Sequence, residues 1–199
     1  MKNVFILAVL ALTMTGCALL SELTALTKCE FSFDSVADPE ISGIDIKAKH
    51  SFSDFSLMDG QRIVGNILNN SLPFEITANV GVRNPGTATA AVNAIEWIAF
   101  IDDIQVATGT LNERIEVGPG GETRIVPIRV RTDLFQYLEG DNPRTMLNFA
   151  LNLMDAGGQP TRLSMRIKPS VLIGGQPVYY PGYFTIDQEF RSGAEQGGI

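Results

Sequence analysis

From Phe74 to Val82 the chain alternates, with Phe74, Ile76, Ala78, Val80 and Val82 on one side and polar or small residues between them. A period of two fits an extended strand with one buried face, whereas the apolar residues of a helix recur every three or four. The same alternation appears at Phe31/Phe33, at Ile44/Ile46 and at Leu163/Met165/Ile167. Between Thr123 and Arg131, Val126, Ile128 and Val130 oppose Ile125 and Pro127, and Pro127, which lacks a ladder donor, predicts an edge or bulged strand. Ala94 to Ile101 is more continuously apolar, as in a sheet centre, which makes Trp97 a core residue. Asp102-Asp103 closes that strand into a hairpin with Ile104 to Gly109, and Arg83-Asn84-Pro85-Gly86, Gly118-Pro119-Gly120-Gly121 and Gly174-Gly175 supply further turns. Gly174-Gly175 leads into a last strand read over 178–186.

Seven to nine short strands separated by turns predict an all-β fold, an antiparallel β-sandwich of immunoglobulin or fibronectin type III kind with one short inserted helix. A small closed barrel is the alternative. The helix follows Asn142-Pro143, a good N-cap and first helical residue, and ends at Gly157-Gly158. Leu147, Ala150, Leu151 and Met154 fall at helical spacing and predict the core face, while Met146, Phe149 and Leu153 form a second apolar face. Met58-Asp59-Gly60-Gln61 reads as a turn with positive φ at Gly60.

Charge and composition narrow the function. Lys and Arg total 15 against 22 Asp and Glu, a net charge of −7, and no basic cluster is present, so nucleic acid is not an expected partner. One His (His50, in a polar, solvated stretch) and two Cys leave too few soft ligands for a zinc or iron-sulfur site; no metal and no cofactor are expected. Asp102-Asp103 lacks the spacing of a calcium loop. With no nucleophile elbow, phosphate loop, zinc-protease helix or carboxylate pair, the chain does not read as an enzyme.

The N-terminus places the protein. Lys2 precedes nine apolar residues, Val4 to Leu12, which as a helix of about 14 Å cannot cross a bilayer core of about 30 Å. A secretory signal of this kind ending in Thr15-Gly16-Cys17 resembles the lipobox of bacterial lipoproteins, with Met14 where that motif most often has Leu. The expected organisation is a lipoprotein signal peptide over 1–16, a lipidated N-terminus and tether over 17–30 with Cys17 acylated, a domain over 31–190 and a mobile tail over 191–199. The membrane is thus a partner through acylated Cys17, and the expected location is the outer membrane, periplasmic face. Acylation of Cys17 leaves Cys29 a lone thiol, read as a small semi-buried residue.

The ordered features resemble the LEA type 2 family, the LEA14-like or WHy domain. They are Ala78-Asn-Val-Gly-Val-Arg-Asn-Pro85, Ile95 to Ile101, Val106-Ala-Thr-Gly109, Val117-Gly-Pro-Gly-Gly121, Ile125-Val-Pro-Ile-Arg-Val130 and Leu147 to Met154. Gly86 stands where the family commonly has the second Asn of Asn-Pro-Asn. The resemblance implies a β-sandwich and a non-catalytic module linked to desiccation and other stress, acting through contacts with an envelope protein. It also implies an alternative, binding of a lipid or other apolar ligand, for which the second apolar face of the helix, Met146, Phe149 and Leu153, is the expected wall of a groove.

Overall fold

The structure, a computed structural model, describes residues 25–49, 51–138, 143–173 and 175–192. The expected signal peptide, Cys17, His50, the Asn142 cap and the tail from 193 lie outside the described residues.

Two antiparallel sheets face each other. The first contains β1 (Glu30–Ile41), β2 (Ile44–Asp45), β3 (Pro73–Asn84) and β8 (Glu122–Asp133), in the order β2-β1-β3-β8. The second contains β5 (Ala94–Ile101), β6 (Ile104–Leu111), β9 (Thr161–Ile173) and β10 (Gln176–Tyr179), in the order β10-β9-β5-β6, with β11 (Phe184–Phe190) also paired to β9. A short ribbon of β4 (Ala90–Val92) and β7 (Ile115–Val117) accompanies them. The fold is the expected all-β sandwich.

Alternation in sequence becomes burial because the β3–β8 ladder keeps register over its whole length, from Pro73 opposite Asp133 to Asn84 opposite Glu122. Ile76, Ala78 and Val80 therefore meet Val130, Ile128 and Val126, all buried, while Ile125 and Pro127 face outward on the edge strand. A slip of one residue would turn that whole row to solvent. In the other sheet β5 is central, and Ile95, Trp97, Ala99 and Ile101 point inward.

Four details differ from the sequence reading. First, 57–68 is a helix, α1 (Leu57–Leu68), and Gly60 is helical rather than at positive φ. Ser56 and Asp59 cap it reciprocally: Asp59 N donates to Ser56 Oγ at 3.1 Å and Ser56 N to Asp59 Oδ2 at 3.0 Å. Gly60 and Gly65, each costing about 1 kcal/mol relative to Ala, disguised the helix. Second, the inserted helix, α2 (Pro143–Leu153), turns a different face inward: Met146, Phe149, Ala150 and Met154 are buried, whereas Leu147 is 55% exposed and Leu151 half-buried. Phe149 sets the rotation, because its ring fits edge-on between Phe74, 5.8 Å away, and Phe190, 6.2 Å away. Third, the last strand is two strands. Pro181-Gly182 interrupts it, so that β11 pairs with β9 over Thr161–Ile167 and β10 over Ser170–Ile173. Fourth, Ala25, Leu26 and Cys29, from the segment read as a tether, are buried in the core.

Candidate functional site

Met146 and Phe149, the leading candidates for apolar ligand contact, are fully buried, and Leu153 is half-buried against the same core. Nor is the helix loose at its C-terminal side. Asn148 and Asn152, one turn apart, both donate from Nδ2 to Gln159 O (2.7 Å each) and to Thr161 Oγ1 (2.7 and 2.9 Å). Asn148 Oδ1 accepts from Gly158 N and Gln159 N, and Asn152 Oδ1 from Ser192 Oγ at 3.1 Å. The Gly157-Gly158 turn that ends the helix is thus held at several points. The Asn148/Asn152 pair was not singled out in the sequence, although its i, i+4 spacing was visible there.

The polar residues that the sequence did single out build turns. Asn84 is fully buried; its Nδ2 donates to Ala88 O (2.8 Å) and Val117 O (3.1 Å), and its Oδ1 accepts from Gly86 N (3.0 Å). Gly121 N adds a bond to Asn84 O at 2.7 Å, so one residue joins the exit of β3 to the loop after β7. Asp102 and Asp103 adopt φ of 45° and 67° in the β5–β6 hairpin. Asp102 Oδ1 accepts from Arg162 N at 2.7 Å, and the Asp103 carboxylate takes Arg162 Nη2 at 2.9 Å on each oxygen. Cys29 is a buried thiol donating to Ala25 O at 3.6 Å, and burial raises its pKa, which keeps it protonated and unreactive near neutrality. Among the described residues no group of three or more His, Cys, Asp and Glu could hold a metal ion.

A shallow cleft of about 160 Å³ lies on the outer face of the second sheet, lined by Phe100, Asp103, Arg162, Ser164, Arg166, Thr185 and Asp187. It arises from register. Asp187 opposes Ser164 and Thr185 opposes Arg166 across β9–β11, while Phe100 opposes Ser164 from β5. Arg162 is held by Asp103, and the Arg166 guanidinium lies 4.8 Å from the Phe100 ring centroid, a cation–π contact. Two guanidiniums and two carboxylates balance in charge, and the lining offers hydrogen-bonding groups to a small polar molecule without a nucleophile-base pair.

Two apolar surfaces also stand out. On α1, Leu57, Met58, Val64 and Leu68 face solvent, and the helix is tied to the body by Asp59 with Lys49 (3.5 Å) and Arg62 with Gly43 O (3.3 Å). The other is the β9–β10 hairpin, where Leu172, Ile173 and Val178 are exposed. Among the described residues no helix is long and apolar enough to cross a membrane.

No protein-family model matches the chain, and no curated protein matches it. Solved structures are similar to it at low identity. A protein from Archaeoglobus fulgidus is 21% identical, over 62% of this chain and 88% of that one, with a TM-score of 0.36. AT1g01470 from Arabidopsis thaliana is 14% identical, over 62% of this chain and 72% of that one, with a TM-score of 0.37. A late embryogenesis abundant (LEA) protein, At2g46140.1, is 13% identical, over 100% of this chain and 90% of that one, with a TM-score of 0.39. The sandwich assignment rests on the strand pairing, not on these likenesses.

Proposed function

We propose that this chain is a non-catalytic, lipid-anchored envelope module of LEA14-like kind, held through acylated Cys17 at the periplasmic face of the outer membrane and stabilising envelope proteins under stress. The observation that carries the non-catalytic reading is the use of the buried polar side chains. Of the buried polar residues described, Asn84 and Ser170 bond backbone carbonyls and Asn152 and Thr161 bond each other within the α2–β9 clip, while Ser42 Oγ is left without a partner. The residues on which the family resemblance stands do structural work of the same kind: Asn84 ties a turn, Gly109 lies against Trp97, and Pro127 ends a sheet. A motif made of fold-building residues supports kinship of fold and module rather than a shared reaction.

The test is protection. Mature chain, residues 17–199 with Cys17→Ser, dried together with a desiccation-sensitive reporter enzyme, is expected to preserve more reporter activity on rehydration than an equal mass of an inert globular protein. Equal losses in both samples count against the reading. Native mass spectrometry of the same material that found a lipid bound one-to-one would replace it with the ligand-binding alternative.

A further inference from the structure

The end of the sandwich at which the chain enters from Cys17 carries an apolar projection that the fold itself does not need. β9 pairs with β5 only as far as Ser170, opposite Ala94; beyond that point it continues with β10 alone. Val171 is still buried, but Ile173, the next residue on that face, is 37% exposed. Val178, across from Val171 and so on that same face, is 41% exposed, and on the opposite face Leu172, paired with Pro177, is 44% exposed. The hairpin is therefore apolar on both faces at once.

Charge is missing from the same stretch. Between Lys168 and Asp187 lie eighteen residues without Asp, Glu, Lys or Arg, in a chain that is 19% charged. Lys168 marks the boundary, with its Nζ 5.7 Å from the Tyr179 ring and 5.6 Å from the Tyr183 ring. Tyrosine and lysine at the base of an apolar element are the residues that settle at a membrane–water interface, the ring amphipathic and the ammonium reaching for water.

Position fixes which surface the hairpin meets. Tyr180 stacks on Phe184 at 4.8 Å between centroids, and Phe184 on Phe31 at 4.5 Å, so the hairpin base adjoins the start of β1. From Cys17 to Ala25, the first described residue, the chain spans eight residue steps, a reach of at most about 27 Å. The apolar face of α1 is at the far end of β3, twelve residues or about 40 Å away.

We infer that the β9–β10 hairpin is a second membrane contact, with Leu172, Ile173 and Val178 entering the lipid surface that receives the acyl chains of Cys17; this rests on the lipid-anchor reading above. A protein partner docking on one side would cover one face and leave the other exposed. Lipid surrounds both. The hairpin sets the orientation of the domain, standing it on its tether end with α1 and the Arg162–Arg166 cleft directed away from the bilayer.

The experiment is sedimentation of the unlipidated mature chain, residues 17–199 with Cys17→Ser, with vesicles of phosphatidylethanolamine and phosphatidylglycerol in a three-to-one ratio. Among the described residues every core residue lies at or after Ala25, and all of them are kept when 1–16 are removed. The wild-type hairpin is expected to partition onto the vesicles, and the pair L172D/V178D to weaken partitioning by at least about tenfold, since each buried aliphatic side chain is worth about that factor. Its melting temperature should stay that of the parent, and L57D/L68D in α1 should bind as the parent does. No binding by the parent, unchanged binding by L172D/V178D, or loss through L57D/L68D instead would each overturn the inference. So would a concentration-dependent dimer that L172D disperses while vesicles bind nothing. Because this chain carries no acyl group, its behaviour is independent of whether Cys17 is acylated, which labelled fatty acid reads separately.

Discussion

The indole of Trp97 lies against the backbone of Gly109, its cross-strand partner between β5 and β6, so closely that a methyl group at position 109 would overlap the ring. The glycine is there for space: Trp97 is only 7% exposed and has no other direction to move within a filled core. Gly109→Ala should therefore lose about 1–3 kcal/mol by overpacking, and Trp97→Ala about 3–5 kcal/mol by leaving a cavity. Urea unfolding of G109A, followed by the fluorescence of the single tryptophan, measures the first directly. An unchanged midpoint would show that the ring is not confined.

Asn84 concentrates three side-chain bonds in a fully buried site. Asn84→Ala strands two carbonyls and an amide, and at about 1–3 kcal/mol for each unsatisfied buried group the loss should exceed about 2 kcal/mol. Asn84→Asp should be no better, because both carbonyls need a donor. Melting temperatures of the two variants check this; an aspartate variant as stable as the parent contradicts it.

Asp133 links the start of β3 to the end of β8. Burial by itself raises its pKa, but its carboxylate accepts from Ser71 Oγ (2.7 Å), Leu72 N (2.6 Å) and Phe135 N (2.9 Å), and together these hold the pKa below the ordinary 3.8. A folded-state pKa below the unfolded one contributes stability that is present above the unfolded value and lost as pH falls through the folded one. Asp133→Asn should thus cost about 1–2 kcal/mol at pH 7 and progressively less below about pH 4. Urea midpoints of parent and variant across pH 7 to 2.5 should converge; a constant gap would mean that ionisation of Asp133 plays no part.

The inward rotation of α2 gives a pair of opposite outcomes. Met146→Glu buries a charge beside Phe149 and should prevent folding, while Leu147→Glu, on the exposed side, should change stability by less than about 0.5 kcal/mol. Circular dichroism melts of both variants decide it, and the reverse ranking would restore the face expected from helical spacing.

What the sequence made legible was what a period of two encodes. Phe74 to Val82, Val126 to Val130 and Leu163 to Ile167 were readable because a strand with one wet face must alternate, and Pro127 marked the edge because it lacks a donor. The α1 helix was hidden because Gly60 and Gly65 weaken the pattern and its apolar side faces outward, though the Ser56-x-x-Asp59 capping box stood in plain view. The face of α2 was misjudged because spacing gives a stripe, whereas the Phe74–Phe149–Phe190 ring cluster, drawn from three distant segments, chooses which stripe is buried. The Phe100–Arg162–Arg166–Asp187 cleft depends on the register among β5, β9 and β11, which no local pattern carries. The exposure of the hairpin at Leu172 to Val178 was not legible from its turn signal, since only the tertiary fold shows that β9 outruns its partner β5.

The proposed anchor on Cys17 is the central claim, and metabolic labelling with a clickable palmitate analogue in the cells that produce the protein tests it most directly. The parent should incorporate the label and fractionate with the outer membrane, and Cys17→Ser should incorporate none. An unlabelled parent, or label retained by the Cys17→Ser protein, would contradict the account.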